Sequence, residues 1–101
     1  MIGREFRFHD GKKGAALAIR IIKDSKNNTI RKVLSDGTVV VHLKGKPEDI
    51  EGLLLQYLSK ELGVKRERFD IIEIKDGADV LLSVLDIGPG DIQKMILDKI
   101  S

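Results

Sequence analysis

The chain has 101 residues, of which 42% are hydrophobic and 34% charged, with 18 basic side chains against 16 acidic ones. This length and composition predict one domain with its own core and argue against disorder. The absence of cysteine excludes disulfides, thiolate metal sites and cysteine nucleophiles. Residues 1–5 become charged at once, and no apolar run approaches the roughly 18 residues of a membrane span. We therefore expect a cytoplasmic protein.

The charges are unevenly distributed along the chain. Residues 1–35 carry nine basic and three acidic side chains, whereas residues 69–101 carry three basic and seven acidic ones. A basic first third and an acidic last third can form a dipolar surface that steers charged partners. Alternatively, these charges are solvated faces that mix once the chain folds, and the sequence leaves both interpretations open.

The first half of the chain has the patterns of β-strands. Small or apolar residues on both faces of residues 14–23 indicate an interior strand. The segment Asp36-Gly37 is typical of a hairpin turn between two further strands. The predicted strands of this half are a short edge strand at 6–9, the interior strand at 14–23, a short strand at 30–34 and a β-branched strand at 39–44.

The second half is predicted to contain a helix, two strands and a closing helix. An apolar stripe at helical spacing predicts a helix that begins near Pro47 and ends at Gly63, a residue suited to the left-handed closing conformation. Strands are predicted at 69–74 and 80–87, joined by a turn at Asp76-Gly77. Gly88-Pro89 begins a closing helix.

These elements predict an α+β fold over residues 1–101 as a single domain. We expect a small mixed sheet of about four main strands with both helices packed on one face, because each helix presents one apolar stripe. The predicted core consists of Ile19, Ile21, Val41, Leu54, Leu58, Ile71, Leu82, Val84, Ile92 and Ile96.

Residues 14–85 resemble the YggU-like family of small uncharacterised α+β proteins. The stretches that carry the resemblance are 15–20 (Ala-Ala-Leu-Ala-Ile-Arg), Asn28 with Ile30, 36–39 (Asp-Gly-Thr-Val), 62–64 (Leu-Gly-Val) and 81–84 (Leu-Leu-Ser-Val). Most of these are scaffold positions. The resemblance therefore implies the fold and not an activity.

The polar signature of that family is largely absent. After the first strand, family members have Pro-(Arg/Lys)-Ala-Ser-(Arg/Lys), where this chain has Lys-Asp-Ser-Lys-Asn at 23–27. Ile50 and Glu51 stand where the family has Ala and Asn. Only Ser25, Asn28 and Gly77 match polar or loop positions of the family. The resemblance implies a divergent member that kept the scaffold.

The candidates for catalysis are few. His9 and His42 are the only imidazoles, and no ligand pair has a tight metal spacing. Ser83, His42 and Asp79 could be drawn as a triad, but no nucleophile-elbow pattern surrounds the serine. We expect no enzymatic activity, metal or cofactor. A hydrolase using carboxylates around Asp76 and Asp79 is kept as an alternative.

The leading functional hypothesis is a non-catalytic module that interacts with another protein. Binding of nucleic acid, RNA in particular, is the main alternative, because cations interleaved with Phe6 and Phe8 can hold phosphates while the rings stack on bases. The candidate nucleic-acid contacts are Arg4, Arg7, Lys12, Lys13, Lys65, Arg66 and Arg68. The acidic last third would repel a phosphate backbone, so we favour the protein partner.

Overall fold

The computed structural model describes residues 14–45 and 49–100. The strands are β1 (Gly14–Ile22), β2 (Thr29–Val33), β3 (Val39–His42), β4 (Phe69–Lys75) and β5 (Asp79–Leu85). Helix α1 spans Ile50–Leu62, helix α2 spans Pro89–Leu97, and a short 3-10 helix covers Arg66–Arg68. The predicted edge strand at 6–9 and the predicted helix start at Pro47 lie outside the described residues.

The five strands form one mixed sheet in the order β2-β3-β1-β5-β4. Strand β1 runs parallel to β3, while every other neighbouring pair is antiparallel. The α+β prediction is confirmed, and β1 is the interior strand that its sequence indicates. The sheet has five strands where about four were expected, because the short segment at Thr29–Val33 pairs with β3 as an edge strand.

The core lies on one face of the sheet, beneath both helices. Alternate residues of β1, from Ala15 to Ile21, pack with every fourth residue of α1 and with Ile92 and Ile96 of α2. This alternation follows from the two-residue period of a strand and the 3.6-residue period of a helix. Nine of the ten predicted core residues are buried. Ile71 is only partly buried, because it lies on edge strand β4 beside a bulge.

The turns form at the positions that the sequence indicates. Gly63 ends α1 with φ +69° and donates its N–H to the carbonyl of Ser59, which also accepts from Val64. Asp76 and Gly77 both have positive φ in the turn between β4 and β5, which the N–H of Ala78 closes by donating to the carbonyl of Lys75 at 3.1 Å. Pro89 occupies the first turn of α2.

Candidate functional site

The face of the sheet opposite the helices, called here the open face, is centred on Ala16, Ala18 and Arg20 of β1. Ala16 pairs in register with Ser83 of β5, and Ala18 with Leu81. Neither helix covers this face, because both pack on the other side of the same strands. The small side chains of Ala16 and Ala18, with Leu81 of β5 beside Ala18, make the middle of the open face a shallow trough that is largely apolar.

One row of the open face crosses all five strands and is mostly charged. Its members, in strand order from β2 to β4, are Lys32, Val40, Arg20, Asp79 and Lys75. Val40 is buried on this face although nothing from the helices covers it. Its register neighbours are Lys32 and Arg20, long side chains whose aliphatic stems shield apolar surface.

Arg20 and Asp79 form an ion pair at the end of the trough. The Nε atom of Arg20 donates to Oδ1 of Asp79 at 3.0 Å, and the two side chains are 51% and 44% exposed. The hydrogen bond and the charge of Asp79 raise the pKa of Arg20. Because the pair is half exposed, it orients the two side chains more than it stabilises the fold.

A shallow depression of about 220 Å³ lies beside this ion pair. Its lining includes Ala18 and Leu81 together with Arg20, Glu73 and Lys75. An apolar floor with charges of both signs at its rim is suited to a macromolecular contact, in which the centre excludes water and the rim sets orientation.

Both edge strands of the sheet have features that hinder pairing with a further strand. Edge strand β2 has a bulge at Arg31, and edge strand β4 has one at Ile72. Charged side chains, among them Lys32 and Glu73, are exposed on the same two strands. Bulges and edge charges both hinder pairing with a further strand. The open face is therefore a better docking surface than either edge.

The structure describes only part of the predicted nucleic-acid surface. Lys65, Arg66 and Arg68 lie together at the 3-10 helix that follows α1. Lys65 and Arg66 are exposed, and Arg68 is half-buried. The remaining members of the predicted set, Arg4, Arg7, Lys12 and Lys13, lie outside the described residues.

The three residues that match the YggU-like family have structural roles in this chain. Asn28 accepts the backbone N–H of Lys44 on Oδ1 at 2.7 Å, which ties the β1–β2 loop to the end of β3. The hydroxyl of Ser25 lies 3.2 Å from both the carbonyl oxygen of Ile22 and Nδ1 of His42. Gly77 has φ +69° in the β4–β5 turn, a conformation that favours glycine.

The residues considered for catalysis are separated or already engaged. Ser83 is buried and donates to the carbonyl of Asp70 at 3.4 Å, whereas His42 contacts Ser25. Asp79 is paired with Arg20, and Asp76 is exposed in a turn. Nowhere in residues 14–45 and 49–100 do three or more His, Asp or Glu side chains come close enough together to hold a metal ion.

The open face was not among the sites predicted from the sequence. Its signal is the alternation within β1, which places Ala16, Ala18 and Arg20 on the face opposite Leu17, Ile19 and Ile21. The same pattern is expected for an interior strand that other layers cover on both faces. The sequence therefore did not reveal which face the helices leave open.

Comparison of the chain with models of protein families, and with curated proteins, finds no match. Membership of the YggU-like family therefore stays a prediction. In the part of the chain that the structure describes, no helix is long and apolar enough to cross a membrane.

Proposed function

We propose that this protein is a non-catalytic interaction module, on a YggU-like scaffold, that binds a protein partner on the open face of its sheet. The observation that carries the proposal is the trough floored by Ala16 and Ala18, with the Arg20–Asp79 pair at its end. Contacts that exclude water at an apolar centre and meet charges at a rim are the usual anatomy of a protein interface.

The proposed occupant is an amphipathic α-helix of the partner. Strands lie about 4.8 Å apart, so β3, β1 and β5 span about 10 Å at Ile19 and Arg20, where all three are paired, and this is the diameter of a helix with its side chains. Beside Ala16 and Ala18, β1 is paired with β5. Small side chains at Ala16 and Ala18 allow a helix to approach the central strand closely. An added strand is disfavoured because both sheet edges carry bulges.

The charges on the two sides of the trough suggest how that helix is oriented. On the β2 side, Arg31 and Lys32 are exposed, whereas on the β4 side two exposed acidic residues, Asp70 and Glu73, outnumber one exposed cation, Lys75. A complementary helix carries acidic side chains along the edge that faces β2 and basic ones along the edge that faces β4. Complementary rim charges act mainly on specificity and on the association rate.

The test compares a negative charge introduced in the trough with the same charge introduced on helix α2. Ala18→Glu adds a carboxylate to an exposed position on the open face, and Gln93→Glu adds one to an exposed position on α2. Partners captured from lysate by the tagged full chain are identified, and binding of the purified partner is measured by calorimetry. We expect at least a tenfold loss of affinity for Ala18→Glu and none for Gln93→Glu.

A second variant tests the orientation. Glu73→Lys should slow association with the same partner and reduce its salt dependence, because it removes attraction for the basic edge of the helix. Equal binding by wild type and Ala18→Glu would refute the proposed surface. Sub-micromolar binding of single-stranded RNA that weakens in Arg66→Ala and Arg68→Ala would favour the nucleic-acid alternative instead.

A further inference from the structure

A polar concavity lies where the β1–β2 loop meets the end of β3. Its volume is about 360 Å³, and its lining residues are Asp24, Ser25, Lys26, Asn27, Thr29, Arg31 and His42. It is distinct from the trough, because the depression beside Arg20 and Asp79 shares no lining residue with it. Every lining residue is polar or charged, and two of them carry a permanent positive charge.

Backbone hydrogen bonds hold the loop in place against β3. The N–H of Ser25 donates to the carbonyl oxygen of Leu43 at 3.1 Å. The N–H of Leu43 in turn donates to the carbonyl oxygen of Ile22 at 2.9 Å. The side chain of Asn28 accepts the N–H of Lys44 at 2.7 Å. A loop fixed at three points presents its polar groups in a set arrangement, which reduces the entropy lost on binding.

The contact between Ser25 and His42 orients the imidazole. The serine hydroxyl has a single proton, and its oxygen lies 3.2 Å from both the Ile22 carbonyl and Nδ1 of His42. When the hydroxyl donates to that carbonyl, its oxygen accepts from Nδ1–H of the ring. In the neutral ring this arrangement makes Nε2 an acceptor, so the hydrogen bonds to an anion must come from the other lining residues. It also directs the serine proton away from the histidine, which is unlike a nucleophile and its base.

The charges of the concavity favour an anion. Lys26 and Arg31 supply two cations, and Asp24 supplies one carboxylate. The guanidinium of Arg31 can donate two parallel hydrogen bonds to one oxyanion, while the hydroxyl of Thr29 and the side-chain amide of Asn27 add neutral donors. Asp24 has φ +56°, so this aspartate holds the turn in a left-handed conformation that most residues disfavour.

We infer that this concavity binds the phosphate group of a small phosphomonoester. A dianionic phosphate matches two cations together with the Thr29 hydroxyl and the Asn27 amide better than a carboxylate does, because it offers three terminal oxygens. A long polyanion is disfavoured, since Asp70, Glu73 and Asp79 lie on the far half of the same face. The concavity shares no lining residue with the depression beside Arg20 and Asp79, although Arg31 also lies on the β2 side that faces the proposed partner helix.

The experiment is a titration of the full ¹⁵N-labelled chain followed by NMR at constant ionic strength. The probes are inorganic phosphate, adenosine monophosphate and a single-stranded RNA decamer, with chloride as the reference anion. We expect saturable shifts for the amides of Ser25, Lys26 and Thr29 with the first two probes. The amides of Lys65 and Arg66 should stay unchanged.

Two charge-removing variants complete the test. Arg31→Ala removes an exposed cation of the concavity, whereas Lys60→Ala removes an exposed cation from α1. Arg31→Ala should weaken adenosine monophosphate binding at least about tenfold, and Lys60→Ala should not change it. Shifts that never saturate, equal loss in both variants, or RNA binding with shifts spread to Lys65 and Arg66 would each overturn the inference.

Discussion

Replacement of Leu58 by alanine tests whether helix α1 is held to the sheet by the predicted apolar stripe. Leu58 is 1% exposed and packs in the core with residues of β1 and β5. The substitution removes three carbon atoms, for which the lost transfer free energy is about 2.4 kcal/mol at about 0.8 kcal/mol per methylene. The cavity left behind adds to this, so we expect a total loss of about 3 kcal/mol within the usual range of about 2–5 kcal/mol.

The matched control is Leu97→Ala. Leu97 lies at the end of helix α2 and is 48% exposed, so the same atoms are removed from a side chain that water already reaches. Both variants replace leucine by alanine within a helix, and helix propensity changes equally in the two. The control should therefore lose less than about 1 kcal/mol, since no closed cavity forms around an exposed side chain.

Urea unfolding followed by far-UV circular dichroism measures the difference. The chain has no Trp and a single Tyr, so fluorescence reports poorly on its unfolding. A loss of about 3 kcal/mol corresponds to a fall in melting temperature of roughly 12–24 °C for a domain of this size. Equal losses in Leu58→Ala and Leu97→Ala would refute the core assigned to α1.

Three further substitutions test local features of the fold. Gly63→Ala should cost about 1 kcal/mol in urea unfolding, because alanine disfavours the left-handed conformation at φ +69°. Arg20→Ala should leave the urea midpoint almost unchanged, since its ion pair with Asp79 is half exposed; a large shift would contradict that assignment. The backbone N–H of Thr38 donates to the Asp36 carboxylate and lowers its pKa. The ionised carboxylate therefore stabilises the fold above about pH 4, the unfolded pKa, and this stabilisation is lost as the pH falls through the lower folded pKa. Asp36→Asn should therefore lose less stability than the wild type between pH 7 and pH 3, and an identical pH profile would contradict this.

The helices and strands could be predicted from the sequence because each has a clear period and clear ends. The stripe of α1 and the glycine at its end define that helix, and the Asp76-Gly77 pair defines the turn between β4 and β5. These are local signals, in which residues a few positions apart determine backbone geometry. The structure confirms them, apart from elements outside the described residues.

Features that depend on the partner strand were missed. The burial of Ile71 was overestimated, because the bulge at Ile72 and the edge position of β4 are properties of pairing with β5. The contact of Ser25 with His42 joins residues 17 positions apart and has no local signature. The trough was missed for the same reason, since Ala18 and Leu81 become neighbours only through the register of β1 with β5.

The most direct test of the proposed function is site-specific photo-crosslinking in cells. A photoreactive phenylalanine analogue replaces Ala18 in the trough in one variant and Gln93 on α2 in the other, and both positions are exposed. Crosslinked peptides are then identified by mass spectrometry. If a partner helix binds in the trough, we expect one dominant adduct from position 18, located in an amphipathic helix of the partner, and none from position 93. The same adducts from both positions, or an adduct with nucleic acid from position 18, would contradict it.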